Sequence, residues 1–169
     1  GFDVTNAQFT EKVGTRFLFV YFDQDKERSF TNYKGSRSDL MIEASELDLS
    51  QIRRCKVFNY TPLSFEFDYP IAKAAELALA EAHSAGVMTA FDSNYRFPYE
   101  DMKVYHAVQD AIYSAQILKL SQDDIRYFMK EENVFSACEK LLAGNAKIVA
   151  FTMGSSGSLL YTHKGWSYR

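Results

Sequence analysis

The chain has 169 residues, 47% of them hydrophobic and 15% aromatic, and a formal net charge of −3. That is enough apolar material for one domain with a sizeable core, and it argues against disorder. With no dense basic cluster no nucleic-acid partner is expected, and with no apolar run of roughly 18 residues no membrane span is expected.

The first part of the chain reads as β-structure. Thr15 to Phe22 and Arg28 to Tyr33 are aromatic and β-branched runs, and the charged segment Asp23-Gln24-Asp25-Lys26-Glu27 between them predicts a hairpin. Ser45 is placed to cap a short helix through Ile52, with Glu46 in its first turn. Lys56 to Tyr60 is a short strand. Phe67 to Ala85 is a long Ala-rich helix stopped by Gly86. Val87 to Phe91 is the next strand, and Pro98-Tyr99 leads into a helix from about Glu100 to Ser114. Ile117 to Leu120 is a third strand, followed by a helix from Gln122 to Met129 with Ser121 as its cap. A helix from Asn133 to Ala143 ends at Gly144, Lys147 to Thr152 is a fourth strand, and Ser158–Thr162 with Gly165–Tyr168 forms a closing hairpin.

Strands and helices alternating at this spacing predict parallel βαβ units with right-handed crossovers, in a sheet covered on both faces. The domain reading is 1–44 as a hairpin and its connection, and 45–169 as an α/β core. Ligands of such sheets bind beyond the carboxyl ends of the strands.

Cys55 and Cys138, with no C-x-x-C, read as free thiols of a reducing cytoplasm. His83, His106 and His163 lack metal-ligand spacing. The sequon Asn59-Tyr60-Thr61 sits at a strand end and reads as chance. The opening Gly1-Phe2-Asp3-Val4 has neither an initiator Met nor a signal-peptide pattern and reads as a cut or processed start.

Three strand-end segments look chemical. Phe91-Asp92-Ser93-Asn94-Tyr95-Arg96 puts Asp, Asn and Arg on alternate positions, which share one face of an extended backbone. Asn supplies an amide, and Arg a planar fork suited to phosphate oxygens; the plainer interpretation is a loop with Asp as a turn residue. Thr152-Met153-Gly154-Ser155-Ser156-Gly157 could bring backbone amides against an anion, or be a simple Gly-Ser turn. Lys119-Leu120-Ser121-Gln122-Asp123-Asp124 could order a hydrated Mg²⁺, or be a helix cap with favourable dipole charges.

The order and spacing of these segments resemble the PfkB/ribokinase-like carbohydrate kinases, especially the fructokinase and 2-keto-3-deoxygluconate kinase branches. Gly1-Phe2-Asp3-Val4-Thr5 is similar to that family's G-V-D-T segment. Thr15 to Val20 followed by Asp25 to Phe30 resembles its lid hairpin, T-G-x-A-x-V…D-G-E-R-x-F. Leu47-Asp48-Leu49 through Val57-Phe58 resembles L-D-x-x-x-I-x-x-A-K-V-F, and Phe91 to Arg96 resembles F-D-P-N-x-R. Leu118 to Asp124 resembles V-K-L-S-E-E-E, and Val149 to Gly157 resembles V-V-T-L-G-x-x-G.

The resemblance implies a ribokinase-like α/β fold with a Rossmann-type parallel sheet, a β-hairpin lid, and ATP-dependent transfer of phosphate to a sugar hydroxyl with Mg²⁺. Fructose is the favoured sugar and 2-keto-3-deoxygluconate the alternative. Asn94 and Arg96 would stand near the transferring phosphate and the sugar. Phe17 and Phe19 of the lid would close over the sugar, with Tyr33 and Lys34 at the pocket edge. Lys119, Ser121, Thr152, Gly154 and Gly157 would serve the nucleotide, and Asp124 the metal through water. Lid pairing between subunits would make a homodimer.

Departures from the pattern are Ser93 for Pro, Lys34 for Arg, Arg37 for a small residue, and Asp124, one methylene shorter than Glu. The family's catalytic Asp lies in a G-A-G-D motif, and no G-x-G-D occurs here. The chain therefore reads as an incomplete piece that is inactive alone. A non-catalytic kinase-like binding module is the competing interpretation. An unrelated dinucleotide fold is disfavoured by the absence of G-x-G-x-x-G.

Overall fold

The computed structural model describes residues 4–5, 7–24, 28–32, 37–94 and 101–169. The amino-terminal strands β1 (Leu18–Phe22) and β2 (Arg28–Asn32) pair antiparallel as the expected hairpin, Leu18 opposite Asn32 and Phe22 opposite Arg28. The remaining strands, β3 (Val57–Tyr60), β4 (Met88–Asp92), β5 (Ile117–Ser121), β6 (Ile148–Thr152), β7 (Ser158–Thr162) and β8 (Gly165–Tyr168), form one sheet in sequential order. The first four are parallel, and the closing hairpin adds β7 and β8 antiparallel.

The helices start where the local chemistry caps them. Helix α1 (Leu49–Arg54) is capped by Asp48, whose carboxylate accepts the Ser50 N–H at 3.0 Å. Ser45 falls instead in a separate 3-10 turn, Ala44–Glu46. Helix α2 (Pro70–Ser84) begins later than the Ala-rich pattern suggested, because Pro70 takes the first position, where a missing N–H costs nothing. Gly86 ends it with φ +70°, as expected. Helix α3 (Met102–Ser114) is capped by Asp101, and α5 (Val134–Ala143) by Asn133. The segment after β5 is not one helix. A single turn, α4 (Gln122–Asp124), runs into a π turn, Ile125–Met129, closed by Lys130 in the left-handed region.

One sheet face carries the core. Tyr60, Phe91, Leu118, Leu120, Val149, Phe151 and Leu159 lie against Val108, Ala111 and Ile112 of α3 and Ala137, Cys138 and Leu141 of α5. Phe58 packs with Ile52 of α1 and Ala78 and Ala82 of α2. The opposite face holds Val57, Met88, Ala90, Ile117, Ile148, Ala150 and Leu160, and none of them joins either core cluster. Among the described residues the helices thus lie against one face of the sheet, within the α/β fold expected. Crossovers of one hand between strands in sequential order put every helix on the same side. Among the described residues no helix is long and apolar enough to cross a membrane.

Candidate active site

The carboxyl ends of β4, β5 and β6 lie side by side. Register sets Asp92 beside Lys119 and Ser121 beside Thr152, all on the sheet face away from the helices. Phe91, 1% exposed, anchors the end of β4 in the core, so the chain leaves the sheet at a fixed point. Asp92 Oδ1 then accepts the Lys119 ammonium at 2.9 Å and the Asn94 N–H at 3.2 Å. Ser93 is fully buried, and both its N–H and its Oγ donate to the Lys119 carbonyl at 3.3 Å. Asn94 takes φ +37°, a conformation that Asn tolerates because its short side chain can bond locally. Ser93, the departure from the F-D-P-N-x-R pattern, is accounted for here: its hydroxyl and N–H make two bonds that Pro could not.

The segment after β5 takes the helix-cap interpretation. Ser121 Oγ accepts the Asp124 N–H, while Asp124 Oδ2 accepts the Ser121 N–H at 2.5 Å and the Ser121 hydroxyl at 2.6 Å. This is a reciprocal capping box, and Asp124 is only 2% exposed. Among the described residues no three His, Cys, Asp or Glu side chains converge on a common point. The arrangement does not fit direct coordination of Mg²⁺.

Beyond β6, Thr152 Oγ1 donates to the Leu120 carbonyl at 3.3 Å, which ties β6 to β5 at the edge. The glycine turn is a 3-10 turn, Gly154–Ser156, in which the Met153, Ser156 and Gly157 amides donate to Gly157, Met153 and Gly154 carbonyls. Those three amides are engaged within the turn and do not face outward as an anion cradle. Gly157 has φ +97°, and a Cβ there would meet the Arg169 carbonyl oxygen at 2.1 Å. Close approach of two backbones accounts for this glycine.

The fold thus brings Asn94, Lys119, Ser121, Thr152, Gly154 and Gly157 to one sheet edge. Phe17 and Phe19 stand apart, each 59% exposed, on a hairpin whose strands contact chiefly each other. The hairpin's stem is fastened by Arg16 to Asp39 at 3.2 Å, and Arg37 beyond it donates to the Tyr69 hydroxyl at 3.0 Å and lies over its ring. Arg96, Tyr33 and Lys34 lie outside the described residues. Sequence reasoning overlooked Asp92 as a site residue. Its signal was its place at the head of D-x-N-x-R, read there as a turn.

The chain is 29% identical over 163 residues to fructokinase-2 of Zea mays, covering 91% of this chain and 47% of that one. It is 28% identical over 159 residues to a probable chloroplastic fructokinase-6 of Arabidopsis thaliana, covering 92% of this chain and 41% of the other. The crystal structure of fructokinase from Xylella fastidiosa superposes with a TM-score of 0.74 at 21% identity, over 94% of this chain and 50% of that one. The chain spans about half the length of the curated relatives it matches. Residues 1–168 match the model of the pfkB family carbohydrate kinases, which spans nearly the whole chain: the chain belongs to the pfkB family of carbohydrate kinases.

Proposed function

We propose that this chain supplies the lid and part of the substrate edge of an ATP-dependent sugar kinase, with fructose as the sugar. The observation that carries the proposal is the convergence of Asn94, Lys119 and Thr152 on one strand edge, in a chain matched by the family along its length. Phosphoryl transfer asks chiefly for positioning and charge stabilisation. Asn94 offers an amide to the sugar or the transferring group. The Lys119 ammonium offers mobile donors to phosphate oxygens, and Thr152 a hydroxyl at the nucleotide's edge. Arg96, two residues after Asn94, would add a bidentate fork. ATP supplies the phosphoryl group, with Mg²⁺ as its companion. Gly154 and Gly157 border the nucleotide by shaping the turn, and Asp124 reaches the metal only across water.

Fructose is favoured by the relatives, which are named fructokinases. A 2-keto-3-deoxygluconate carboxylate asks for a cation; Arg37 is engaged with Tyr69, and the other cation that a sugar acid could use at the pocket edge is Lys34. The lid reading has its own support. Every residue of β1 is exposed, Phe19 and Phe22 by 59% and 63%, and a two-stranded hairpin is marginal on its own. Phe17 and Phe19, two apart, share one face and would close over the sugar with Tyr33 and Lys34, excluding water. The opposite face is left for a second copy's hairpin. The cytoplasmic assignment rests on two free cysteines, Cys55 exposed and Cys138 buried.

The test is turnover by a family-length protein carrying this sequence, with ATP and either fructose or 2-keto-3-deoxygluconate. We expect the higher kcat/KM with fructose, and none with the 169-residue chain alone. Preference for the sugar acid overturns the substrate. Absence of transfer to any sugar overturns the kinase in favour of a binding module.

A further inference from the structure

The edge is held together by a residue to which phosphoryl transfer gives no obvious role. Asp92 is a carboxylate, an acceptor that repels phosphate, in a place where phosphate is expected. Yet its Oδ1 receives both the Lys119 ammonium and the Asn94 N–H. Ser93, between the two, is buried and bonded twice to the Lys119 carbonyl. Residues 92–94 are therefore clasped to both the backbone and the side chain of residue 119.

We propose that Asp92 is a positioning residue whose carboxylate sets the Asn94 turn and holds the Lys119 ammonium at the strand edge. The amide offered to the sugar and the cation offered to the nucleotide are then placed by one group. The part of this that concerns substrates rests on the kinase reading. Lys carries a flexible four-carbon stem, and a half-exposed ion pair is weak as a source of stability. What the pair does here is restrict where the ammonium goes, leaving its other donors for a phosphate oxygen.

This gives a sign that simple charge counting reverses. Removing the negative charge at position 92 ought to tighten ATP if only the field mattered. Positioning predicts the opposite. In the family-length protein, Asp92→Asn is expected to raise the KM for ATP about five-fold, with the sugar KM little changed, because the new amide oxygen still accepts the Asn94 N–H. Asp92→Ala, which loses both bonds, is expected to raise both KM values. Lys119→Met raises the ATP KM, and adding Asp92→Asn to it does nothing more. An unchanged or lowered ATP KM in Asp92→Asn, or additive effects in the double variant, overturns the proposal.

A second measurement is independent of activity. In the 169-residue chain, amide hydrogen exchange at Asn94 is expected to speed up about ten-fold in Asp92→Ala and to stay near the parent rate in Asp92→Asn. Equal exchange in Asp92→Ala and parent overturns the hold on the turn. If no sugar is phosphorylated the kinase reading falls, and the exchange result still decides whether Asp92 sets Asn94.

Discussion

Ser121 and Asp124 show how one pattern of residues carries two chemistries. A Ser three residues before an acid, just past a strand, reads equally as a metal-ordering pair and as a capping box. The structure satisfies the second, with Asp124 nearly inaccessible and its Oδ2 accepting two bonds from Ser121. Ser121→Ala removes the cap acceptor and one donor to a buried carboxylate. It should lower the stability of the chain by about 1–2 kcal/mol, read as a lower denaturant midpoint. An unchanged midpoint with weakened nucleotide binding would return the pair to the metal. Residue identities were legible at Asp92, Ser93 and Asn94, but their clasp on Lys119 was not. It depends on the parallel register of β4 with β5, which pairs residues 27 apart.

Between the π turn and α5, a short connection is organised by one side chain. Glu131 Oε1 accepts the Glu132 and Asn133 amides, and its Oε2 the Ser136 hydroxyl and the Lys140 ammonium at 2.5 Å. The Lys140 bond first, then the amide and hydroxyl donors, hold its carboxyl down to about 2 from an ordinary 4.5. A depressed folded-state value means the unfolded chain takes up its proton first as pH falls. The stabilisation is therefore complete above about pH 4.5 and is lost on descending toward pH 2. Glu131→Gln should flatten the fall in stability across that window and leave its slope above it unchanged. An identical acid profile in the variant would remove Glu131 from the account. Helix existence was legible from apolar spacing, whereas helix starts were decided by Pro70, Asp48 and Asp101 against the broader pattern. The π turn carries no sequence signal that propensity reveals. It appears where Lys130 adopts φ +53° to end the segment.

At the scale of the whole molecule, the alternation of strand and helix gave the α/β class and the sequential hairpins correctly. Which side of the sheet the described helices take depends on strand order, which local pattern does not encode. The exposed β1 aromatics belong to this scale as well. We expect the family-length protein to run as a dimer in solution by light scattering. Val20→Asp with Phe22→Asp, on the face opposite Phe17 and Phe19, should leave it a monomer. A parent protein that is already monomeric would sink lid pairing.

The single-sided helices have a consequence for how the chain acquires its structure. Each of α2, α3 and α5 lies between the two strands it joins, so the Phe91–Leu118–Val149 side is assembled from near neighbours in sequence, as fast as the polypeptide emerges. The Met88–Ile117–Ile148 side has no such local helical partner among the described residues. While that side stands open it is an apolar surface that has to be guarded against association with other chains.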